Sequence, residues 1–224
     1  MFITEGIIKM SIGRKPMEVE NEFKFTTDRK LEPADVINSL ESFLKDHSIP
    51  YEKKVRQSQD KYYDSNTLEL YRKGCSLRQK NTFKGKVKLT AKKPLSNEEE
   101  MMSREEIEMP ADGRFMTLKA FGKGCFPDIT IEKEPVLHMR TERTAFYYTD
   151  GADVMLTFDT CRYISGKRHK DFLEVEIESM GKSTERGFDQ IGMRDFVKEL
   201  SFYPVTKSKY QRGIEWIQSL NVQI

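Results

Sequence analysis

Met17-Glu18-Val19-Glu20-Asn21-Glu22-Phe23-Lys24-Phe25 is the stretch on which the reading of this chain turns. As a β-strand with a side-chain period of two, it sets Glu18, Glu20, Glu22 and Lys24 on one face. Val19, Asn21, Phe23 and Phe25 occupy the other. Three carboxylates in a row on one face repel each other. Either water screens them or a cation sits among them.

The same alternation recurs along the chain. Arg78 and Lys80 share a face opposite Leu77, and Lys86, Lys88, Thr90 and Lys92 share one opposite Val87, Leu89 and Ala91. Arg104, Glu106 and Glu108 lie opposite Ile107 and Met109; Asp153, Thr157 and Asp159 lie opposite Val154, Leu156 and Phe158. Glu174, Glu176 and Glu178 lie opposite Leu173, Val175 and Ile177. Alternation alone marks an antiparallel sheet with one face in water. Several of these polar faces, however, are almost purely acidic or basic, and like charges along a sheet are costly without opposite partners. A sheet closed into a barrel with the charged face inward would bring acidic and basic strands together around a lumen. Such a lumen suits a polyanion escorted by divalent cations.

Around these strands the spacing predicts a helix from Pro33, with Val36, Ile37, Leu40, Phe43 and Leu44 inward, ending near His47. Residues 51–64 read as extended, and 68–71, 76–80, 86–93 and 103–109 as short strands. A short helix is expected over 111–122, ahead of a Lys123-Gly124 turn. Residues 130–148, 154–159 and 172–179 read as extended, with turns at Asp150-Gly151 and Ser165-Gly166. A helix capped by Thr184 carries Phe188, Ile191, Phe196, Val197 and Leu200 inward, and a last helix spans about 207–220. Hairpin-linked strands with helices between them give an antiparallel α+β architecture.

The chain has 224 residues, enough for one compact domain with its own core. Residues 1–16 read as a flexible leader, with Met10 or Met17 as alternative starts, and 17–224 as a single domain. Lysine plus arginine, 38, nearly balance 36 acidic residues, which argues against a dedicated nucleic-acid binder. No apolar run is long enough to span a membrane. Three cysteines without Cys-x-x-Cys spacing exclude a disulfide scaffold and point to a reducing, cytoplasmic setting. His47, His138 and His169 are scattered and read as surface or turn residues. Cys75 lacks an oriented base in the sequence pattern. The basic run 165–170 reads as a solvated loop or as a guard at a tunnel mouth. Lys207 and Lys209 open the last helix, where cations oppose the helix dipole; a structural or a functional role is open for them.

Taken in order, these residues resemble the CYTH domain proteins of the triphosphate tunnel metalloenzyme superfamily, from about residue 17 to the C-terminus. Glu20-Asn-Glu22-Phe-Lys24 matches the family's Glu-x-Glu-x-Lys strand. Asp60-Lys-Tyr-Tyr-Asp64 is similar to its tyrosine-rich strand end, and Gly74-Cys-Ser-Leu77-Arg78-Gln-Lys80 to its Gly-x-x-Leu-Arg-x-Arg strand, with lysine for the second arginine. Leu89-Thr90-Ala-Lys92, Arg104-Glu-Glu106-Ile-Glu108 and Phe172-Leu-Glu174-Val-Glu176-Ile-Glu178 resemble three further strands. A Lys-x-Arg strand is matched more loosely by His138-Met-Arg140-Thr-Glu-Arg143. There Arg140 and Arg143 have opposite parity and cannot both face a lumen; Arg143 is favoured. Arg143-Thr-Ala-Phe146, Leu156-Thr-Phe-Asp159 and Ser208-Lys209-Tyr210 also resemble the superfamily's polyphosphate polymerase branch.

The resemblance implies an eight-stranded antiparallel β-barrel forming a tunnel, with helices outside, that binds triphosphate or polyphosphate together with Mg2+ or Mn2+. It implies phosphate binding by Lys24, Arg78, Lys80, Lys92, Arg104 and Arg143, and metal binding by Glu20, Glu22, Glu174 and Glu176. Glu20, Glu22 and Lys24 would carry the chemistry, with Glu106, Glu108 and Asp159 in support. The expected activity is metal-dependent hydrolysis of inorganic, nucleoside or thiamine triphosphate, without a nucleic-acid or membrane partner. An adenylyl cyclase, a polyphosphate polymerase and a non-catalytic polyanion-binding module are the alternatives.

Overall fold

The structure is a computed structural model that describes residues 18–98, 100–148, 154–180 and 191–221. The expected leader, the Asp150-Gly151 turn, Asp153, and the Thr184 cap with Phe188 lie outside those residues.

Eight strands close on themselves. They are β1 (Glu18–Thr27), β2 (Tyr51–Tyr63), β3 (Ser76–Thr82), β4 (Val87–Glu98), β5 (Met101–Ala111), β6 (Leu137–Tyr148), β7 (Val154–Ser165) and β8 (Arg168–Met180). Every pairing is antiparallel, in the order β5-β4-β3-β2-β6-β7-β8-β1, and β1 returns to β5 to shut the ring. β1 makes this possible by serving two neighbours: Glu18–Phe23 pair with β5 while Glu20–Thr27 pair with β8. A two-residue strand, β9 (Tyr203–Pro204), takes over beside Phe25 and Thr26 where β5 has ended. Closure removes the sheet edges that would otherwise invite further pairing.

The apolar faces point outward and are covered by helices. Helix α1 (Pro33–Asp46) begins with proline in its first turn, and its Val36, Leu40 and Leu44 recur every four residues. They bury against Phe23, Phe25, Phe146, Leu156, Phe158, Val175 and Ile177, joined by Met193 and Val197 of α4 (Met193–Glu199). Helix α3 (Phe115–Cys125) lays Leu118, Phe121 and Cys125 over Tyr63, Leu77, Leu89, Ala91 and Met109. Truncating a fully buried leucine such as Leu40 to alanine costs about 2–5 kcal/mol in cores of this kind.

Helix α5 (Lys209–Asn221) crosses one end of the barrel instead of lying along its side. Its Tyr210 and Ile214 pack with Tyr62, Leu137, Met139, Cys161 and Tyr163. The helix sits so close that a Cβ on Gly213 would lie 2.3 Å from the Leu137 side chain. Tyr163 donates its hydroxyl hydrogen bond to the Lys209 carbonyl at 2.7 Å.

Three local expectations are corrected. Residues 68–71 are not a strand: Glu69–Arg72 form a short helix, α2. The Asp64 carboxylate accepts the backbone N–H groups of Leu70 and Tyr71 at 2.8 and 2.9 Å, and these bonds wind the segment. Lys123-Gly124 is not a turn, because α3 runs on to Cys125. Residues 130–136 are not strand, and β6 begins only at Leu137. The 165–170 run is the exposed β7–β8 hairpin, in which Ser165 pairs with Arg168. His47 sits at the end of α1 with its Nδ1 2.9 Å from the Phe43 carbonyl.

Candidate active site

The pleat that turns Phe23 and Phe25 outward turns Glu20, Glu22 and Lys24 into the barrel, where they are at most 3 % exposed. Register fixes their neighbours: Glu20 lies opposite Arg104 on β5, Glu22 opposite Glu178 on β8, and Lys24 opposite Glu176. Around the ring Lys92 faces Glu106, Thr90 faces Glu108, Asp60 faces Lys80, and Arg143 faces Asp159. All of these side chains except Asp60 and Asp159 line one cavity of about 1140 Å³.

Opposite charges interlock across it. Lys24 Nζ lies 2.8 Å from Glu22 and 3.3 Å from Glu176. Lys92 binds Glu20 and, at 2.8 Å, Glu106; Arg104 lies 3.6 Å from Glu22. Arg143 donates a two-pronged pair of hydrogen bonds to Asp159, both at 2.7 Å, and another to Glu176. Its neighbour Arg140 is exposed on the outer face, so the parity choice between them falls on Arg143. All the phosphate-binding candidates named from the sequence, Lys24, Arg78, Lys80, Lys92, Arg104 and Arg143, therefore reach the same lumen.

The four metal candidates divide. Glu174 pairs in register with Thr26, six residues along β1 from Glu20. That is about 20 Å at the usual rise of a strand, too far for one ion to touch both. Glu20 and Glu22 have Glu178 and Glu176 as their acidic neighbours on β8, whereas Glu174 joins Asp159 and Glu176. The carboxylates of this second trio lie within 4.8 Å of one another. Lys209 Nζ sits in their midst, 2.7 Å from Asp159, 2.6 Å from Glu174 and 3.1 Å from Glu176, and Arg212 also binds Glu174.

Sequence reasoning left the role of Lys209 open and passed over Arg212, because both stand on α5 rather than on a strand. Only the docking of α5 across the barrel end brings them inside. The Ser208-Lys209-Tyr210 resemblance was the available signal. Tyr210 secures the helix from below: its hydroxyl donates to Asp64 at 2.6 Å and its ring stacks on Tyr62 at 5.2 Å. Lys207, by contrast, lies ahead of α5 instead of opening it, is exposed, and pairs with Glu215 on that helix.

The proton affinities follow from burial and these pairs. Burial alone would weaken the Lys92 charge, but Glu20 and Glu106 overcome it and hold the ammonium well above the usual lysine value. Burial similarly opposes ionised Asp159 and Glu176. Arg143 and Lys209 nonetheless draw Asp159 below the carboxylate range, and Lys209 and Lys24 do the same for Glu176. Glu178 goes the other way: burial, then the nearby Glu20, push its carboxyl well up. For Lys24 burial prevails over Glu22 and Glu176 and lowers it. Burial and then Arg78 push Lys80 down to about 8. Cys75 and Cys161 are buried thiols pushed up by desolvation, Cys161 to about 12, which suits packing and not nucleophilic chemistry.

The donor set fits a hard divalent cation. Carboxylate oxygens are its preferred ligands, and an added positive charge would offset both the burial and the Glu20 crowding that raise the Glu178 carboxyl. Both oxygens of Asp60 are buried without a hydrogen-bond donor among the described residues, with Arg78 only at 4.0 Å. Such dense buried charge is a poor source of stability. The outer apolar clusters hold the barrel, and the lumen is free to be organised for a ligand.

Three solved structures of similar fold give the comparison. A candidate adenylyl cyclase from Hippeastrum, described as having a dominant triphosphatase activity, superposes with a TM-score of 0.56 at 18% identity, over 85% of this chain and 93% of that one. A candidate adenylate cyclase from Bacillus halodurans gives 0.52 at 18%, over 88% and 98%. One from Vibrio parahaemolyticus gives 0.51 at 15%, over 87% and 97%. No curated protein matches the chain. The CYTH domain family model matches residues 20–208, from the first inward glutamate to the start of α5. The chain belongs to the CYTH domain family.

Proposed function

We propose that this protein hydrolyses a phosphoanhydride bond of a triphosphate-containing substrate, using Mg2+ or Mn2+. The observation that carries the reading is the convergence of Lys24, Arg78, Lys80, Lys92, Arg104 and Arg143 on one lumen in which carboxylates interleave with them. A triphosphate carries several negative charges in a short chain. Guanidinium groups take its oxygens two at a time, and ammonium groups neutralise it as point charges. The triphosphatase activity named for the Hippeastrum neighbour agrees with this reading.

Glu20 and Glu22, with Glu176 and Glu178 beside them, would hold the ion, while Glu174 and Asp159 fix Lys209 and Arg143. When bound, the ion supplies Lewis acidity toward a phosphoryl oxygen and toward water. The chain does the remainder. Arg143 is locked in orientation by its pair with Asp159, so little ordering is needed when substrate arrives. Lys92 stays charged because Glu20 and Glu106 flank it, and can neutralise a phosphate oxygen at any ordinary pH. Glu106 and Glu108 orient Lys92 and Lys88. The apolar contacts of α5 pack against the inward residues at one end of the barrel.

The test is phosphate release from inorganic tripolyphosphate, nucleoside triphosphates and thiamine triphosphate with each metal. The double variant Glu20→Ala/Glu22→Ala should lose on the order of 100-fold or more in rate, the scale of several kcal/mol of charge stabilisation. Equal release by variant and wild type would sink the proposal. Cyclic AMP from ATP, in place of phosphate, would transfer the reading to the cyclase alternative.

A further inference from the structure

Among the described residues the three most exposed large apolar side chains are Met116, Phe83 and Val55, at 71 %, 67 % and 60 %. All three stand at one end of the barrel. Asn81 of β3 pairs with Val87 of β4, and Val87 with Ala111 of β5. Just beyond that level, residues 83–86 turn from β3 into β4 and carry Phe83, while residues 112–114 lead into α3 and its second residue, Met116. A Cβ on Gly113 would lie 3.8 Å from the Val87 side chain, so the second loop rests against the first hairpin. On the other flank the Phe83 N–H donates to the Gln57 carbonyl at 3.4 Å, two residues from Val55 on β2. Single exposed apolar side chains are ordinary on a protein surface; three gathered on one rim call for a partner.

The β3–β4 turn is built to project. Gly85 donates to the Thr82 carbonyl and Thr82 to the Lys86 carbonyl, both at 2.9 Å, and nothing lies within 4 Å of a Cβ placed on Gly85. Cations surround the tip. Lys53, Lys54, Lys88 and Arg114 are matched by Glu41, Glu52, Glu108 and Asp112. Arg56, Lys84 and Lys86 are exposed, and among the described residues no carboxylate lies within 4 Å of them. A second folded chain docking on the apolar tips would have to bury these charges with them. A nucleic acid would find one ring, Phe83, for its bases, and no ring at Val55 or Met116. An anionic bilayer meets both parts: its headgroups take the cations, and the acyl boundary a few ångströms deeper takes the apolar tips.

We propose that this rim docks on an anionic membrane surface, with Phe83, Val55 and Met116 entering the headgroup boundary and Arg56, Lys84 and Lys86 meeting the lipid anions. No described helix is long and apolar enough to cross a membrane; the contact is peripheral and reversible. It departs from the expectation of no membrane partner, because exposure at a turn and at a helix start is a tertiary fact. Arg56, Gly85 and Lys86 also line the mouth of the lumen, so docking sets that mouth beside the bilayer. The proposal does not depend on what the lumen binds.

Cosedimentation of the full chain with vesicles tests this, using phosphatidylcholine and phosphatidylserine in a two-to-one ratio against phosphatidylcholine alone. Wild type should pellet with the anionic vesicles, stay in solution with the neutral ones, and be released as salt is raised. Lys84→Gln/Lys86→Gln should weaken the association roughly 30-fold. Phe83→Ser should weaken it roughly tenfold while leaving its salt dependence unchanged, since the charges remain. All three positions are exposed, and an unchanged melting temperature reports that each variant has folded. Absence of vesicle binding by wild type, equal binding to both compositions, or Phe83→Ser binding as tightly as wild type overturns the proposal. Without vesicle binding, capture of a single-stranded oligouridine weakened by Phe83→Ser would assign the rim to nucleic acid. A concentration-dependent dimer lost in Phe83→Ser would assign it to a second copy of this chain. Either result also overturns the membrane contact.

Discussion

Lys80 is an interior cation whose charge lies near ordinary working pH. Burial, then the neighbouring Arg78 guanidinium, push its ammonium down to about 8, with Asp60 only partly compensating. The sign follows: below pH 8 the group is charged and attracts an anion, and above it the attraction fades. A bound polyanion favours the charged form, so binding takes up a proton in the alkaline range and affinity must fall as pH rises. Lys80→Arg keeps its charge throughout, since a guanidinium does not titrate in this range. Between pH 7 and about 9.5, tripolyphosphate affinity of wild type should drop up to roughly tenfold more than that of Lys80→Arg. Protonation of tripolyphosphate itself is common to both proteins and cancels in the comparison. Parallel pH profiles for the two would show that Lys80 does not meet the ligand.

At the scale of elements, α5 is the piece on which the interior depends. Gly213 allows it to lie against β6, where a methyl group would meet Leu137 at 2.3 Å and Tyr163 at 3.1 Å. Gly213→Ala should therefore lower stability by about 1–3 kcal/mol, the usual cost of overpacking, despite alanine's better helix propensity. Thermal unfolding measures this, and an unchanged or raised midpoint would mean that α5 docks more loosely. The same helix marks where the sequence stopped being readable. Charged faces of β1, β3, β4, β5 and β8 were legible because a period of two carries residue type directly onto a face. On β7 the pattern was followed only to residue 159, since Cys161 and Tyr163 continue the inward face as apolar residues. They are apolar because α5 fills that end of the barrel, a fact of tertiary packing that no local period encodes. For the same reason Lys209 and Arg212 could not be assigned to the lumen. The 68–71 segment misled differently. Leu68 and Tyr71 suit a strand, but hydrogen bonds to Asp64 and Ser65 win over that preference and wind a helical turn.

At the scale of the whole molecule, the barrel is closed where β1 meets β5, and neither strand's sequence names its partner. A charged face says that a strand looks inward; it does not say which strands are adjacent. The β1–β5 seam is the shorter of the two ladders that β1 makes in the barrel, with Glu18–Phe23 paired against the Glu20–Thr27 run on β8. Across it Glu20 faces Arg104, and Lys92 of β4 reaches over β5 to bind Glu20. A polyphosphate held jointly by Lys24, Lys92 and Arg104 would tie β1, β4 and β5 together, stabilising the seam most. At a concentration of tripolyphosphate 100 times its dissociation constant, the fold should gain about 2.7 kcal/mol, a rise of roughly 5–10 °C in melting temperature for a domain of this size. Amide hydrogen exchange should slow in β1 and β5 more than in β6 and β7. Orthophosphate at equal ionic strength should reproduce neither effect, because a single phosphate cannot span the strands. A comparable shift with orthophosphate, or protection spread evenly round the barrel, would mean that the polyanion acts as bulk salt and does not bridge the seam.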